Sequence, residues 1–350
     1  MEYDANHTLL SIKGIIIPWR NYMKRRTITG IIMAIVIIPC VYFGGIPFLV
    51  LALFIAGMGG YEMMHMFYKS YPTLKWMRYV VPVMCVIIVF LMYLAATKGF
   101  GSDIFTIDVA NGALEGTDGE MTFAAIRSKL LYNFWILTGF AICIVICFSA
   151  TLFIKGSGAK DMMACATTLC YCGLIMGLAA SIEYLQPISA SPLLPQAPFG
   201  GRSFAYVFLI VTATDIFAYL VGRKLGKHKL CPDISPKKSV EGAIAGGLIG
   251  GALGTAGAYL FRLVYIVPEF GVFYNILLVL LVFVVSVIIS VMGQLGDLIA
   301  SKFKRTYEIK DYSHIFPGHG GVLDRFDSLM IAGSAFYIIV QFIQLILLRA

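Results

Sequence analysis

Long apolar runs separated by short polar segments dominate the chain. Nine runs stand out, near 27–43, 46–59, 80–97, 133–154, 163–182, 204–222, 243–264, 273–300 and 329–348. Runs of this length and uniformity predict membrane-crossing helices rather than the half-polar helices of a water-soluble core. The expected architecture is an all-α, polytopic integral membrane protein with about nine transmembrane helices, the second run being short for a span. Behind it, Tyr61–Phe67 alternates in a way that predicts an amphipathic helix at the membrane interface, with Glu62 and His65 one turn apart.

Two runs carry unusual residues. The sixth contains Asp215, and a carboxylate inside a span is expected to face a protein-lined or wet interior, because exposing it to lipid costs roughly 2.5–3.5 kcal/mol. The seventh repeats glycine at 246, 247, 250, 251 and 254, a small-residue spacing that lets helix backbones approach closely. The eighth turns polar at Gln294, Gly296 and Asp297 before it ends. No internal repeat is visible, which argues against a transporter built from inverted halves.

Composition agrees. Of 350 residues, 59% are hydrophobic and 13% charged, so hydrophobicity reports lipid contact. The net charge of +8 could suggest nucleic acid, but its distribution does not: 21 of the 27 Lys and Arg fall on one side of the alternating loops. That asymmetry is the positive-inside rule. It predicts a cytoplasmic N-terminus and puts the basic loops 223–242 and 301–328 on the cytoplasmic face. No nucleic-acid partner is expected. The N-terminal 26 residues are polar and basic, so the first run reads as a retained membrane anchor. The basic run Lys24-Arg25-Arg26 suits either topology or anionic headgroups. Eight scattered cysteines fit neither a disulfide framework nor a zinc spacing. The outer loops 98–132 and 185–202 read as solvated surface. The chain divides into an N-terminal membrane part, 1–200, and a C-terminal part, 201–350, which holds most of the candidate chemistry.

That chemistry is concentrated between Gly296 and Asp327. If the eighth helix continues through Arg305, then Asp297, Ser301, Lys304 and Arg305 share one face, offering a hard oxygen ligand, a hydroxyl and two cations. A snorkelling helix end with an internal ion pair would look the same. Pro317-Gly318-His319-Gly320-Gly321 permits a tight backbone approach to an anion. Asp324 and Asp327, flanking Arg325, open the last helix, where the helix dipole favours negative charge. A helix cap would account for one aspartate of the three. With Asp297 they could hold Mg²⁺, which takes one or two carboxylates together with phosphates and water, while Arg325 clamps a phosphate. Upstream, Ser235-Pro236-Lys237-Lys238-Ser239-Val240-Glu241-Gly242 would suit the phosphates of a nucleotide, although an ordinary basic loop reads similarly. Gly222–Lys227 lacks the first half of a P-loop.

Ser301-x-x-Lys304-Arg305-x4-Lys310-Asp311 followed by Pro317-Gly-His-Gly-Gly321-x-x-Asp324-Arg325-x-Asp327 resembles the signature of the phosphatidate cytidylyltransferases, or CDP-diacylglycerol synthases. Asp215-x-x-Ala218-Tyr219-x-x-Gly222 and the 235–242 segment are similar to that family's upstream motifs. Before about residue 210 the likeness is loose, limited to the basic N-terminus, the span pattern and an acidic residue, Glu62, after the second span.

The resemblance implies transfer of the cytidylyl group of CTP to phosphatidate, a Mg²⁺-dependent site with a possible second monovalent or divalent cation, and a homodimer. By the same resemblance Asp297 and Asp324 are the metal-binding pair. Asp327, Lys304, Arg305 and Arg325 are expected to complete the catalytic set, and Lys237, Lys238, Ser239, Ser301, His319 and Asp215 to contact substrates. The expected location is the plasma membrane, with the lipid bilayer as a partner and the site on its cytoplasmic face. Two other classes remain open on the residues: a CTP-dependent polyprenol kinase, which would release CDP, and an ion-coupled transporter using Asp215 and Asp297.

Overall fold

The computed structural model describes residues 2–3, 9–12, 15–71, 75–96, 137–185, 200–266, 268 and 271–347. The described residues are helical almost throughout. Its helices are α1 (Trp19–Phe43), α2 (Gly45–Ser70), α3 (Met77–Ala96), α4 (Leu137–Leu152), α5 (Ala159–Tyr184), α6 (Gly200–Leu225), α7 (Val240–Leu260), α8 (Gly271–Thr306) and α9 (Leu323–Leu347). All but α4 are long and apolar enough to cross a membrane, and α4 is a shorter apolar helix within the 133–154 run. The nine hydropathic runs therefore correspond to nine helices among the described residues. The loop 98–132 and most of the loop 185–202 lie outside those residues.

Two small antiparallel sheets accompany the helices. Strands β1 (Glu2–Tyr3), β2 (Leu9–Ile12) and β3 (Ile15–Pro18) pair in sequence order. Strands β4 (Lys229–Cys231) and β5 (Ser235–Ser239) form a hairpin between α6 and α7. The hairpin has no alternating apolar pattern. Hydrogen bonds at its end hold it instead: Glu241 accepts from the backbone of Lys227 and His228 and from the His228 ring at 2.6 Å.

The helix ends differ from the hydropathic runs in ways that matter. The 46–59 run and the amphipathic Tyr61–Phe67 segment form one helix, α2, and one face of the second part is packed inside the protein: Glu62, Met63, Met64, Met66 and Phe67 are buried. Facing helices bury what sequence alone leaves as a surface stripe. The α5 helix carries a π-helical turn over Leu169–Ile175, whose Leu169, Tyr171, Cys172 and Gly173 are buried.

The α8 helix has 36 residues, which at 1.5 Å per residue makes it about 54 Å long against about 30 Å of hydrocarbon. Its final turns therefore carry polar residues beyond the apolar layer.

The glycines of α7 do what their spacing predicts. A Cβ at Gly246 would stand 2.7 Å from the Thr214 carbonyl of α6, and one at Gly251 would stand 2.4 Å from a Val287 methyl of α8. So α6, α7 and α8 pack backbone against backbone. Two hydroxyl pairs link α6 to α8 inside this slab, Tyr206 with Ser286 at 2.7 Å and Thr214 with Ser290 at 2.6 Å. The second large buried cluster joins α2, α3, α4 and α5 with Ala300 of α8 and the start of α9.

Candidate active site

The site forms where the C-terminal ends of α6 and α8 meet the N-terminal ends of α7 and α9. The α8 helix does continue through Arg305, so the predicted stripe is real. Asp297 accepts from Lys238 of the hairpin at 2.6 Å, and the Ser301 hydroxyl lies 3.4 Å from its other oxygen. One turn on, Lys304 pairs with Asp324 of α9 at 2.8 Å and lies 5.5 Å from the centre of the Tyr312 ring. Arg305 donates to the carbonyl of Ile234 in the hairpin turn at 3.3 Å. Two ion pairs thus tie the end of α8 to the hairpin on one side and to α9 on the other.

Asp324 is almost wholly buried, and three donors satisfy it. Lys304 takes Oδ1, and the backbone amides of Tyr312 and Gly321 both donate to Oδ2 at 2.9 Å. A buried carboxylate is tolerable only with this kind of pairing. Asp327, one turn later, is also buried and accepts from its neighbour Ser328 through Oδ1. Its Oδ2 has no hydrogen-bond donor among the described residues. Asp215 is exposed and stands within electrostatic reach of Lys238 and Asp297, and Asp327 stands within reach of Asp297 and Lys304.

The segment joining α8 to α9 is folded tightly. Phe316 and Gly320 exchange backbone hydrogen bonds, and Gly318 and Gly320 adopt φ of 79° and 86°, a region open mainly to glycine. At Gly321 a Cβ would come 2.5 Å from a carboxylate oxygen of Glu62.

Glu62 is the residue that sequence reasoning left without a role. Buried in α2, it accepts from the Ser313 hydroxyl at 2.5 Å and from the amides of Val322 and Leu323 at 2.9 Å each. A carboxylate there satisfies the free amides that open α9 and meets the positive end of its dipole. His65 instead lies between the rings of Tyr61 and Tyr68. The signal available in sequence was an acidic residue in the middle of an apolar, methionine-rich stretch.

The structure brings Asp215, Lys238, Asp297, Ser301, Lys304, Arg305, Asp324 and Asp327 together. Ser239 is occupied elsewhere, since it is buried and caps α7 by accepting from the Gly242 amide at 3.2 Å. Lys237 is exposed on the hairpin. His319 and exposed Arg325 form a neighbouring group. Burial, with the charges of Arg325 and Arg26, holds the His319 ring below its usual pKa and therefore neutral at pH 7. Burial also pushes the Tyr312 hydroxyl well up, keeping it a donor to the Ala300 carbonyl at 3.2 Å.

The donor chemistry suits a hard cation shared with a ligand. Among the described residues no three His, Cys, Asp or Glu side chains form a closed ligand set. One or two carboxylates are what Mg²⁺ uses when phosphates and water fill its remaining positions; Asp327 has an open Oδ2, and Asp297 would exchange Lys238 or Ser301 for the ion. Asp324 could contribute Oδ1 only where Lys304 now donates.

The site is thus a lysine-balanced carboxylate cluster at one end of the helices of an all-helical membrane fold. The sequence profile of the cytidylyltransferase family matches residues 24–343, and the chain belongs to that family. Among curated relatives, the phosphatidate cytidylyltransferase of Staphylococcus haemolyticus is 48% identical over 125 residues, and that of Staphylococcus aureus 46% over the same length. Each of these stretches covers 36% of this chain and 44% of the relative, so the match spans less than half of those relatives. The Bacillus subtilis protein of the same name is 29% identical over 319 residues, covering 91% of this chain and 97% of its own.

Proposed function

We propose that this protein transfers the cytidylyl group of CTP to phosphatidate, releasing diphosphate and leaving CDP-diacylglycerol in the membrane. The observation that carries the proposal is the convergence of Asp297, Asp324 and Asp327 with Lys238, Lys304 and Arg305 at the polar end of α8, in a chain of the cytidylyltransferase family. The names of its relatives support the choice of substrates.

An oxygen of the phosphatidate monoester attacks the α-phosphorus of CTP, and the bond to the β-phosphate breaks with diphosphate as the leaving group. No protein nucleophile is needed, so catalysis consists of positioning and charge neutralisation. Lys237 and Lys238 hold the triphosphate and then the diphosphate. Lys304, Arg305 and Arg325 offset charge that builds on the reacting phosphates. Ser301 donates to a phosphate oxygen, and Ser239 fixes the hairpin that carries the two lysines. Asp215 orients a cation or the nucleotide ribose.

Asp297 and Asp324 would hold Mg²⁺, with Asp327 beside them, and the family resemblance implies a second monovalent or divalent cation; the ion would supply charge neutralisation at the triphosphate. The positive-inside asymmetry supports a cytoplasmic N-terminus and a cytoplasmic site, where CTP enters from water while acyl chains stay in lipid. The bacterial relatives support the plasma membrane, and the family resemblance supports a homodimer.

The test is incubation of purified protein with labelled CTP, phosphatidate and Mg²⁺, followed by lipid extraction. Label in a CDP-lipid with stoichiometric diphosphate is expected. CDP and a newly phosphorylated lipid, or no labelled lipid, would overturn the proposal.

A further inference from the structure

We propose that Arg26, at the start of α1, joins His319 and Arg325 in a subsite for the phosphate monoester of the lipid substrate. The inference rests on the cytidylyl-transfer reading and assigns one of its substrates a place.

Only 6% of the α1 span Arg26–Phe43 is buried inside the protein. Besides its contacts with α2 and α6, the helix touches the signature turn. Arg26, Thr29 and Gly30 fall at i, i+3 and i+4, on one face, and that face lies against 317–319. The Thr29 hydroxyl donates to the Pro317 carbonyl at 3.1 Å. A Cβ at Gly318 would stand 3.2 Å from the Cβ of Arg26, and one at Gly30 would stand 3.6 Å from Cε1 of His319. Glycine at 318 is thus what lets the Arg26 backbone approach the turn.

Two guanidinium groups lie close enough to His319 to disfavour its charged form. Neither Arg26 nor Arg325 makes an ion pair among the described residues, whereas Lys238 and Lys304 both do. The Nδ1 of His319 is buried without a hydrogen-bond partner among the described residues. Two unpaired cations and an unsatisfied imidazole call for a compact anion carrying more than one negative charge. A phosphate monoester meets that need, and guanidinium recognises it through paired hydrogen bonds.

Both the lipid substrate and CTP carry phosphates. The position of α1 selects the lipid: a molecule held in the bilayer meets this helix directly, whereas Lys237 and Lys238 sit on the polar hairpin.

The experiment titrates phosphatidate in phosphatidylcholine vesicles at saturating CTP, then CTP at saturating phosphatidate, with reconstituted full-length protein. Arg26→Gln is expected to raise the phosphatidate fraction for half-maximal rate about tenfold, the value of one charge-assisted hydrogen bond. The CTP requirement should hold within about twofold, and Arg26→Lys should recover part of the loss. Phosphatidylglycerol, an anionic phosphodiester, should not compete in the wild type.

An unchanged phosphatidate dependence, an equal shift for CTP, or competition by phosphatidylglycerol would each overturn the subsite. Thermal stabilisation of the detergent-solubilised protein by phosphatidate alone reads the same contact without turnover. Stabilisation that Arg26→Gln abolishes supports the subsite even if the wild type makes no CDP-lipid, a result that would defeat only the reaction. Stabilisation equal in wild type and variant overturns the subsite.

Discussion

Replacing Glu62 with alanine should loosen the turn that carries Gly321 and Asp324 while leaving most of the bundle folded. The carboxylate accepts two backbone amides and one hydroxyl, all buried or half-buried. Alanine would strand the Val322 and Leu323 amides, at roughly 1–3 kcal/mol each. Losing an anion at the start of α9 adds about 0.3–1 kcal/mol. The total is about 2–7 kcal/mol, concentrated at 313–324. Hydrogen exchange in detergent reads this directly. At about 1.4 kcal/mol per factor of ten, protection of those two amides should fall at least about fortyfold. Amides in the α6–α7–α8 slab should be little changed. Glu62→Gln keeps one acceptor oxygen but turns an NH₂ group toward a donor, and should fall between. Cytidylyl transfer should drop in step with lost protection, since Glu62 acts by positioning Gly321 and Asp324. Unchanged protection at Val322 and Leu323 in a folded Glu62→Ala protein would refute the clamp.

Asp297→Asn and Asp324→Asn should each reduce CTP incorporation into lipid by about a hundredfold or more with normal expression; near-normal turnover in either would remove that residue from the cation site. Lys237→Ala should raise the CTP requirement without altering the phosphatidate requirement, and an unchanged CTP titration would reject its nucleotide role. Gly321→Ala places a methyl against the Glu62 carboxylate, which should cost about 1–3 kcal/mol and appear as a lower unfolding temperature; an unshifted temperature would mean that the turn can yield.

The helices were legible because hydrocarbon imposes one constraint, internal satisfaction of every backbone group, and apolar runs reveal where it acts. The glycine stripe of α7 was legible for the same kind of reason, since close approach needs small residues at helical spacing. Asp297, Ser301, Lys304 and Arg305 could be placed on one face because α8 is a single uninterrupted helix. What stayed hidden depends on partners far away in sequence. Glu62 meets Val322 and Leu323 across 260 and 261 positions, and no local pattern encodes that pairing. The hairpin at 229–239 lacks alternation, and Pro232-Asp233 marks its turn without fixing its strands. Its register depends on the Ser239 cap and on the Glu241 contacts. The sequence does mark Asp324 as a carboxylate at a helix start, but not that Lys304 and two amides would claim its oxygens.

With glycine backbones touching along α7, no layer of pliable side chains separates the three helices that carry Asp215, the hairpin and Asp297. They behave as a single plank, and shear between them is suppressed. Any yielding that the proposed reaction needs is therefore expected at the other rim, where α1 meets the glycine turn through the Thr29–Pro317 hydrogen bond.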